Sequence, residues 1–190
     1  MEQLTLGILM SSNDSANLES RVLASSVIQN LIQNKDYSYV MGASGNGIMR
    51  MAQELFAENN INPEIVGLAN SADLEKSISI YKVEVESVFE RTKRIYEDSD
   101  ALLFLSGGIG TFSELYAMLD ANMEMPSSKP IFIYNADHSY DYFLADFNQK
   151  IKSGFADEDT LVNCYIANSE EELLTQLTQY EKTEESKVVR

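Results

Sequence analysis

Residues 105–114 read LSGGIGTFSE and follow directly on the apolar run ALLFL at 101–105. Three glycines (Gly107, Gly108, Gly110), a threonine (Thr111) and a carboxylate (Glu114) thus stand at the exit of a buried strand. Glycines between a strand and a helix start let backbone N–H groups approach a ligand with no Cβ in the way. The helix N-terminus adds unsatisfied donors and a partial positive charge, a combination that suits a phosphate. Thr111 either caps the helix or offers its hydroxyl to the same anion; the alternative is a tight turn whose glycines serve packing. Glu114 lies one helical turn past Thr111, so its side chain returns toward the loop. A carboxylate repels phosphate, so an anion loop gains nothing from it. It makes sense facing the next group along, such as ribose hydroxyls or an attacking water, while the spacing equally allows a capping-box partner for Thr111.

The elements that must position these groups alternate along the whole chain. LTLGILM (4–10), YSYVMG (37–42), EIVGLA (64–69), a short run at 82–85, ALLFL (101–105), PIFIYN (130–135) and TLVNCYIA (160–167) read as strands. Between them apolar residues recur at helical spacing, most clearly Ile48, Met51, Ala52, Leu55 and Phe56. Helices are also expected over 87–98, from Phe112 on, over 140–153, and from an N-cap at Ser169 to about residue 182, while 70–81 reads as loop. Apolar rather than alternating strands, each followed by a helix, imply a single-domain, Rossmann-like doubly wound α/β fold over residues 1–182, with six or seven parallel strands and a charged tail at 183–190. Ligands in such sheets bind outside the carboxyl ends of the strands. Both glycine loops, GASGNG at 42–47 and the one above, lie at such ends. Neither matches the dinucleotide fingerprint or the GK[ST] phosphate loop.

Composition narrows the partners. Thirty acids against 14 bases give a net charge of −16, with no run of Lys and Arg to replace phosphate counterions, so nucleic acid and anionic membranes are excluded as expected partners. The single cysteine, Cys164, permits no internal disulfide and sits in an apolar stretch as packing. No His, Cys and carboxylate spacing suggests a metal, and His138, the one histidine, reads as an exposed loop residue. The N-terminus lacks a secretory pattern and no stretch is apolar enough to span a membrane, so a cytoplasmic location is expected.

The stretch SDALLFLSGGIGTFSELYAML resembles the PGGxGTxxE signature of the LONELY GUY (LOG) family, often labelled lysine-decarboxylase-like. SSNDS after the first strand resembles the family's first loop, GASGNGIM its GGGxxGLM loop, VFERTKRI its MHxRK helix, and YNADHSYDYFLADFNQKIKSGFA its region after the sixth strand. The resemblance implies hydrolysis of the N-glycosidic bond of nucleoside 5′-monophosphates, AMP or cytokinin riboside monophosphates among them, with no cofactor, and a homodimer or larger assembly. It implies a catalytic pair, Arg91 and Glu114, and a nucleotide held by Ser12, Gly42, Gly45, Gly47, Gly107, Gly108, Gly110 and Thr111. Ser106 replaces the signature proline and offers a further hydroxyl donor. Thr92 stands in place of the family's lysine, and Arg94, on the same helix face as Arg91, is the expected auxiliary cation. Because related folds carry the molybdenum cofactor without hydrolysing anything, the missing lysine keeps open a carrier or nucleotide-binding reading. A third reading is a nucleotide-sensing interaction protein, for which the helix with Phe112, Leu115, Tyr116 and Met118 would supply a dimer face. A pyridoxal enzyme needs a Schiff-base lysine in a recognisable setting, and the sequence places none near either glycine loop.

Overall fold

Strands with no polar face must be covered on both sides, and the computed structural model, which describes residues 3–125 and 128–188, shows how this is done. In chain order the elements are β1 (Thr5–Leu9), α1 (Leu18–Asn34), β2 (Ser38–Gly42), α2 (Gly47–Glu58), β3 (Glu64–Leu68), α3 (Ala72–Lys76), β4 (Lys82–Val85), α4 (Val88–Asp98), β5 (Ala101–Phe104), α5 (Ile109–Glu124), β6 (Ile131–Tyr134), α6 (Asp141–Lys152), a 3₁₀ turn (Glu158–Leu161), β7 (Cys164–Ala167) and α7 (Glu170–Val188). All strand pairings are parallel, in the order β4-β3-β2-β1-β5-β6-β7. The chain therefore winds outward from β1 to β4, then crosses back to lay β5 against the other side of β1, Leu6 opposite Ala101. The doubly wound fold expected from the strand–helix alternation is present.

Successive strand residues feed opposite cores. Leu6, Ile8, Leu103 and Leu105 pack with Val27 and Ile28 of α1, Ile48 and Phe56 of α2, and Leu173 and Leu177 of α7. Leu9, Leu102 and Phe104 pack on the other face with Ile95 of α4, Leu115 and Met118 of α5, and Phe143 and Phe147 of α6. Leu115 and Met118 are thus spent on the core and Phe112 leans on Tyr140 and Phe143, so of the four residues read as a dimer face only Tyr116 is exposed.

Three boundaries differ from the sequence reading. The supposed loop at 70–81 contains α3, started by the Ser71 side chain accepting from Leu74 N–H, with Leu74 buried. The last strand begins only at Cys164, because Asp157 and Asp159 carbonyls capture the N–H groups of Thr160 and Val162 in a 3₁₀ turn. The final helix continues to Val188, past the expected end near 182, while 189 and 190 lie outside the described residues. Ser169 does start that helix, accepting from Glu172 N–H (3.2 Å) while Glu172 accepts from Asn168 N–H (2.8 Å). Cys164 is half-buried, and burial pushes its thiol up to about 12, as suits inert packing. His138 sits at φ 60°, the left-handed region, with its ring exposed and paired to Asp141. Among the described residues no helix is long and apolar enough to cross a membrane.

Candidate active site

The glycine loop after β5 is pinned from three sides. Ser11 N–H donates to the Ser106 carbonyl (3.0 Å), and the hydroxyl of the fully buried Tyr140 donates to the Leu105 carbonyl (2.6 Å). The Ser106 hydroxyl donates to Asp137, which also accepts from Ser20 of α1 (2.5 Å) and from Ser139 N–H (3.2 Å). Burial works to raise the Asp137 carboxyl, but these hydroxyls and the amide outweigh it and hold the group below its ordinary value. Ser106 is therefore committed to Asp137, where the sequence reading had offered its hydroxyl to the ligand.

The glycines of this loop divide into two kinds. At Gly107 a Cβ would lie 2.1 Å from Thr111 Oγ1, so glycine is needed for the buried Thr111 to fold back over the loop. At Gly108 and Gly110 a Cβ would meet nothing within 4 Å, so the protein's own packing does not ask for glycine there. What the two positions leave clear is the approach to the N-terminus of α5. Gly108 is its N-cap and supplies no side chain to the first-turn donors. Of the two readings of Thr111, the helix cap does not hold, and Glu114 is no capping-box partner.

Glu114 is instead buried (5% exposed), its Oε1 receiving Arg91 Nη2 at 3.2 Å. Arg91 comes from the first turn of α4, a helix fixed by the Ser87 cap on Glu90 N–H. Burial pushes the Glu114 carboxyl above its ordinary 4.5, and the Arg91 guanidinium pulls it part of the way back. If the carboxylate is the working form, activity falls as pH drops through a value above 4.5. Removing the guanidinium in Arg91→Met takes away the opposing pull, so the acid limb of the kcat/KM profile is expected to move to higher pH, whatever the change in absolute rate.

Other expected site residues fall differently. Arg94 pairs with Asp98 and with Glu64 (3.6 Å) at the start of β3, the end of the sheet opposite the glycine loops, and so does not join Arg91. Thr92 is half-buried and its hydroxyl donates to Val88 O, so α4 delivers one cation to the site. In the loop after β2, two of the amides are already engaged: Gly45 N–H by Asp73 Oδ1 (3.2 Å) and Gly47 N–H by Asp14 Oδ1 (2.9 Å). Gly47, at φ 66°, brings that loop so close to Ser12 that a Cβ would lie 2.5 Å from the Ser12 carbonyl carbon. Gly42 ends β2, and Gly45 lies under the stem of Lys76, 2.8 Å from a hypothetical Cβ to Cδ. A lysine does lie beside a glycine loop, then, brought there by the α3 turn that the sequence did not reveal.

The loop after β1, the starts of α1 and α2 and the glycine loop after β5 line an open cavity of about 260 Å³, among Ser11, Asn13, Ile48, Ser106, Gly107 and Gly108, while none of residues 42–47 lines it. Three helix N-termini converge on it. Asn17 caps α1 by accepting from Ser20 N–H (2.8 Å), Asp14 fills α2, and α5 alone is open. The arrangement offers an anion a seat on α5, with a buried carboxylate–guanidinium pair on the neighbouring face of the sheet. Asp14 and Asp137 escaped the sequence reading, and the only available signal was their presence in the polar loops SSNDS and ADHS.

Known proteins give the same frame. Residues 40–177 match the family model described as "Possible lysine decarboxylase". The chain is 26% identical over 149 residues to a probable cytokinin riboside 5′-monophosphate phosphoribohydrolase, LOG4, of Oryza sativa subsp. japonica, covering 76% of this chain and 64% of that protein. It is 28% identical over 148 residues to another from the same plant, LOGL1, covering 76% and 66%. This chain thus spans just under two thirds of the length of these relatives. Among solved structures it is similar to the molybdenum cofactor carrier protein of Chlamydomonas reinhardtii, with a TM-score of 0.69 at 13% identity over 94% of this chain and 98% of that one. At that identity the likeness shows a shared fold.

Proposed function

This chain belongs to the LONELY GUY (LOG) family, and from that premise we propose that it hydrolyses the N-glycosidic bond of nucleoside 5′-monophosphates, AMP or a cytokinin riboside monophosphate, to free base and ribose 5-phosphate. The observation that carries the reading is the buried Glu114, held by Arg91 beside an α5 N-terminus cleared of side chains. The 5′-phosphate sits on that N-terminus, against Gly108 and Gly110, which sets the ribose toward Glu114. As the C1′–N bond breaks, positive charge builds on C1′, and a carboxylate in a dry setting stabilises it more than water does. Water adds to C1′ and its proton passes by way of Glu114, while the base nitrogen leaves protonated. Arg91 fixes the carboxylate and opposes the upward push that burial gives it. The reading includes a homodimer, which would cover Phe89 and Ile109, 82% and 92% exposed on either side of the site.

A decarboxylase built on a pyridoxal Schiff base finds less support. Lys129 spends its ammonium on the carbonyls of Tyr96, Glu97 and Ser99 at the far end of α4, and Lys76, although beside Gly45, is exposed. A carrier role rests on Thr92 alone. One assay separates the readings: purified protein is incubated with AMP, other common nucleoside monophosphates and a cytokinin riboside monophosphate, and free base is measured. Equal yields of base and ribose 5-phosphate are expected; no base from any of them ends the hydrolase reading.

A further inference from the structure

Resting on that reading, we infer that Asp137 is a positioning residue that locks the glycine loop through the Ser106 hydroxyl, in place of the proline of the family signature. Ser106 stands where that signature has its proline. A proline fixes its own φ and so narrows the conformations open to the residues around it. Serine does not, and Gly107, Gly108 and Gly110 lose much backbone freedom when they settle around a ligand. The backbone ties at the entry to the loop, from Tyr140 and Ser11, reach the carbonyls of Leu105 and Ser106 and go no further. Among the described residues the one partner of the Ser106 side chain is Asp137.

Asp137 is itself firmly placed. It lies on the turn after β6, where the Asn135 side chain accepts from Tyr140 N–H (2.8 Å) and donates to Asp141 (2.8 Å). His138, at φ 60°, bends the chain so that Ser139 N–H returns to Asp137 Oδ1 (3.2 Å). The other oxygen, Oδ2, takes two hydroxyls, that of Ser106 and that of Ser20 in the first turn of α1 (2.5 Å). Ser20, Ser106 and Ser139 all line the cavity beside Gly107 and Gly108, so the carboxylate stands behind that wall. With its one proton given to Asp137, the Ser106 hydroxyl has none to offer a phosphate. The network therefore acts on the shape of the loop and not as a ligand contact. Hydrogen bonds to a carboxylate are the stronger kind, and losing this one loosens the loop amides that meet the phosphate. Glu114 is placed by other means, by Arg91 (3.2 Å) and by the packing of Leu115 and Met118 in the core. The influence of Asp137 thus falls on binding and leaves the reacting group where it is.

The test measures KM and kcat for base release from AMP on the full chain, with calorimetric binding of AMP in a Glu114→Gln background, where nothing is consumed. Asp137→Ala and Ser106→Ala are each expected to raise KM and weaken AMP binding by about five- to ten-fold, with kcat within about two-fold of the parent. Both cut the same bond, so the two together should be no worse than Asp137→Ala alone. Ser106→Pro keeps the carbonyl that accepts from Ser11 and should hold AMP affinity within about two-fold of the parent. In that background Asp137→Ala should change AMP affinity by less than about two-fold, a silence that a merely structural role for Asp137 would not produce. Should Asp137→Ala fail to fold, Ser106→Ala leaves the bonds from Ser20 and Ser139 in place and still decides the matter. Unchanged AMP binding in Ser106→Ala, a loss of affinity in Ser106→Pro, or an undiminished effect of Asp137→Ala beside the proline overturns the inference. A parent chain that neither binds nor cleaves AMP overturns the functional reading instead.

Discussion

Replacing Glu114 with Gln is expected to slow release of the base by about 10³- to 10⁴-fold while AMP still binds within a few-fold of the unaltered protein. The amide keeps the size of the carboxylate in a site where only 5% of the residue is exposed, so packing is retained. What is lost is the charge that meets the developing cation at C1′ and the base that receives the proton from water. Because burial already disfavours the charged form of Glu114, the neutral amide lifts that penalty, and stability should not fall on this account. The check is single-turnover release of adenine from AMP beside equilibrium binding of the same nucleotide. A variant that retains more than about a tenth of the rate places the reacting group elsewhere.

The second large effect separates folding from binding within one loop. Gly108→Ala and Gly110→Ala are expected to leave the melting temperature unchanged or raised, since a Cβ meets nothing at either position and alanine at 110 favours the first turn of α5 by up to about 1 kcal/mol. The same substitutions should weaken AMP binding by about ten-fold or more, because the methyl group stands where the phosphate must approach the amides. Gly107→Ala should do the reverse in origin. Its Cβ falls 2.1 to 2.5 Å from three side-chain atoms of the buried Thr111, and forcing them apart should cost about 1–3 kcal/mol of stability. Thermal melts and nucleotide titrations on the three variants settle the matter, and uniform destabilisation by all three would mean that the loop is a packing turn.

How much of this was legible in the sequence depended on whether a residue's neighbours lie along the chain or across it. Strand apolarity and helical spacing are local, so the sheet, its parallel sense and the helices flanking the glycine loops could be read directly. Ser169 and its acids announced a cap that the structure contains. Arg94 was misplaced because helical phase alone cannot say which way a long side chain leans. The carboxylates of Glu64 and Asp98 draw it to the far end of the sheet. The α3 turn was missed because a five-residue helix with one buried apolar residue has almost no periodicity to show. The occupation of the first glycine loop was equally hidden, since Asp14 and Gly47 are joined by a bond that spans 33 residues. Thr111 and Glu114 fit the capping-box spacing well, but the true N-cap is a glycine three positions earlier than the threonine.

The return of β5 to the side of β1 has a consequence for how the chain comes to possess a site at all. Thr5 N–H bonds to the Asp100 side chain across 95 residues, and Asp137 gathers hydroxyls from positions 31 and 117 residues away. Such distant closures are entropically costly and form slowly compared with helices. A chain in which β1 to β4 have assembled but β5 has not yet docked already carries both glycine-bearing sequences, yet has neither a walled cavity nor a buried glutamate. Competence to bind therefore requires that β5 be docked on β1, and nucleotide binding would serve as a readout of that docking rather than of secondary structure.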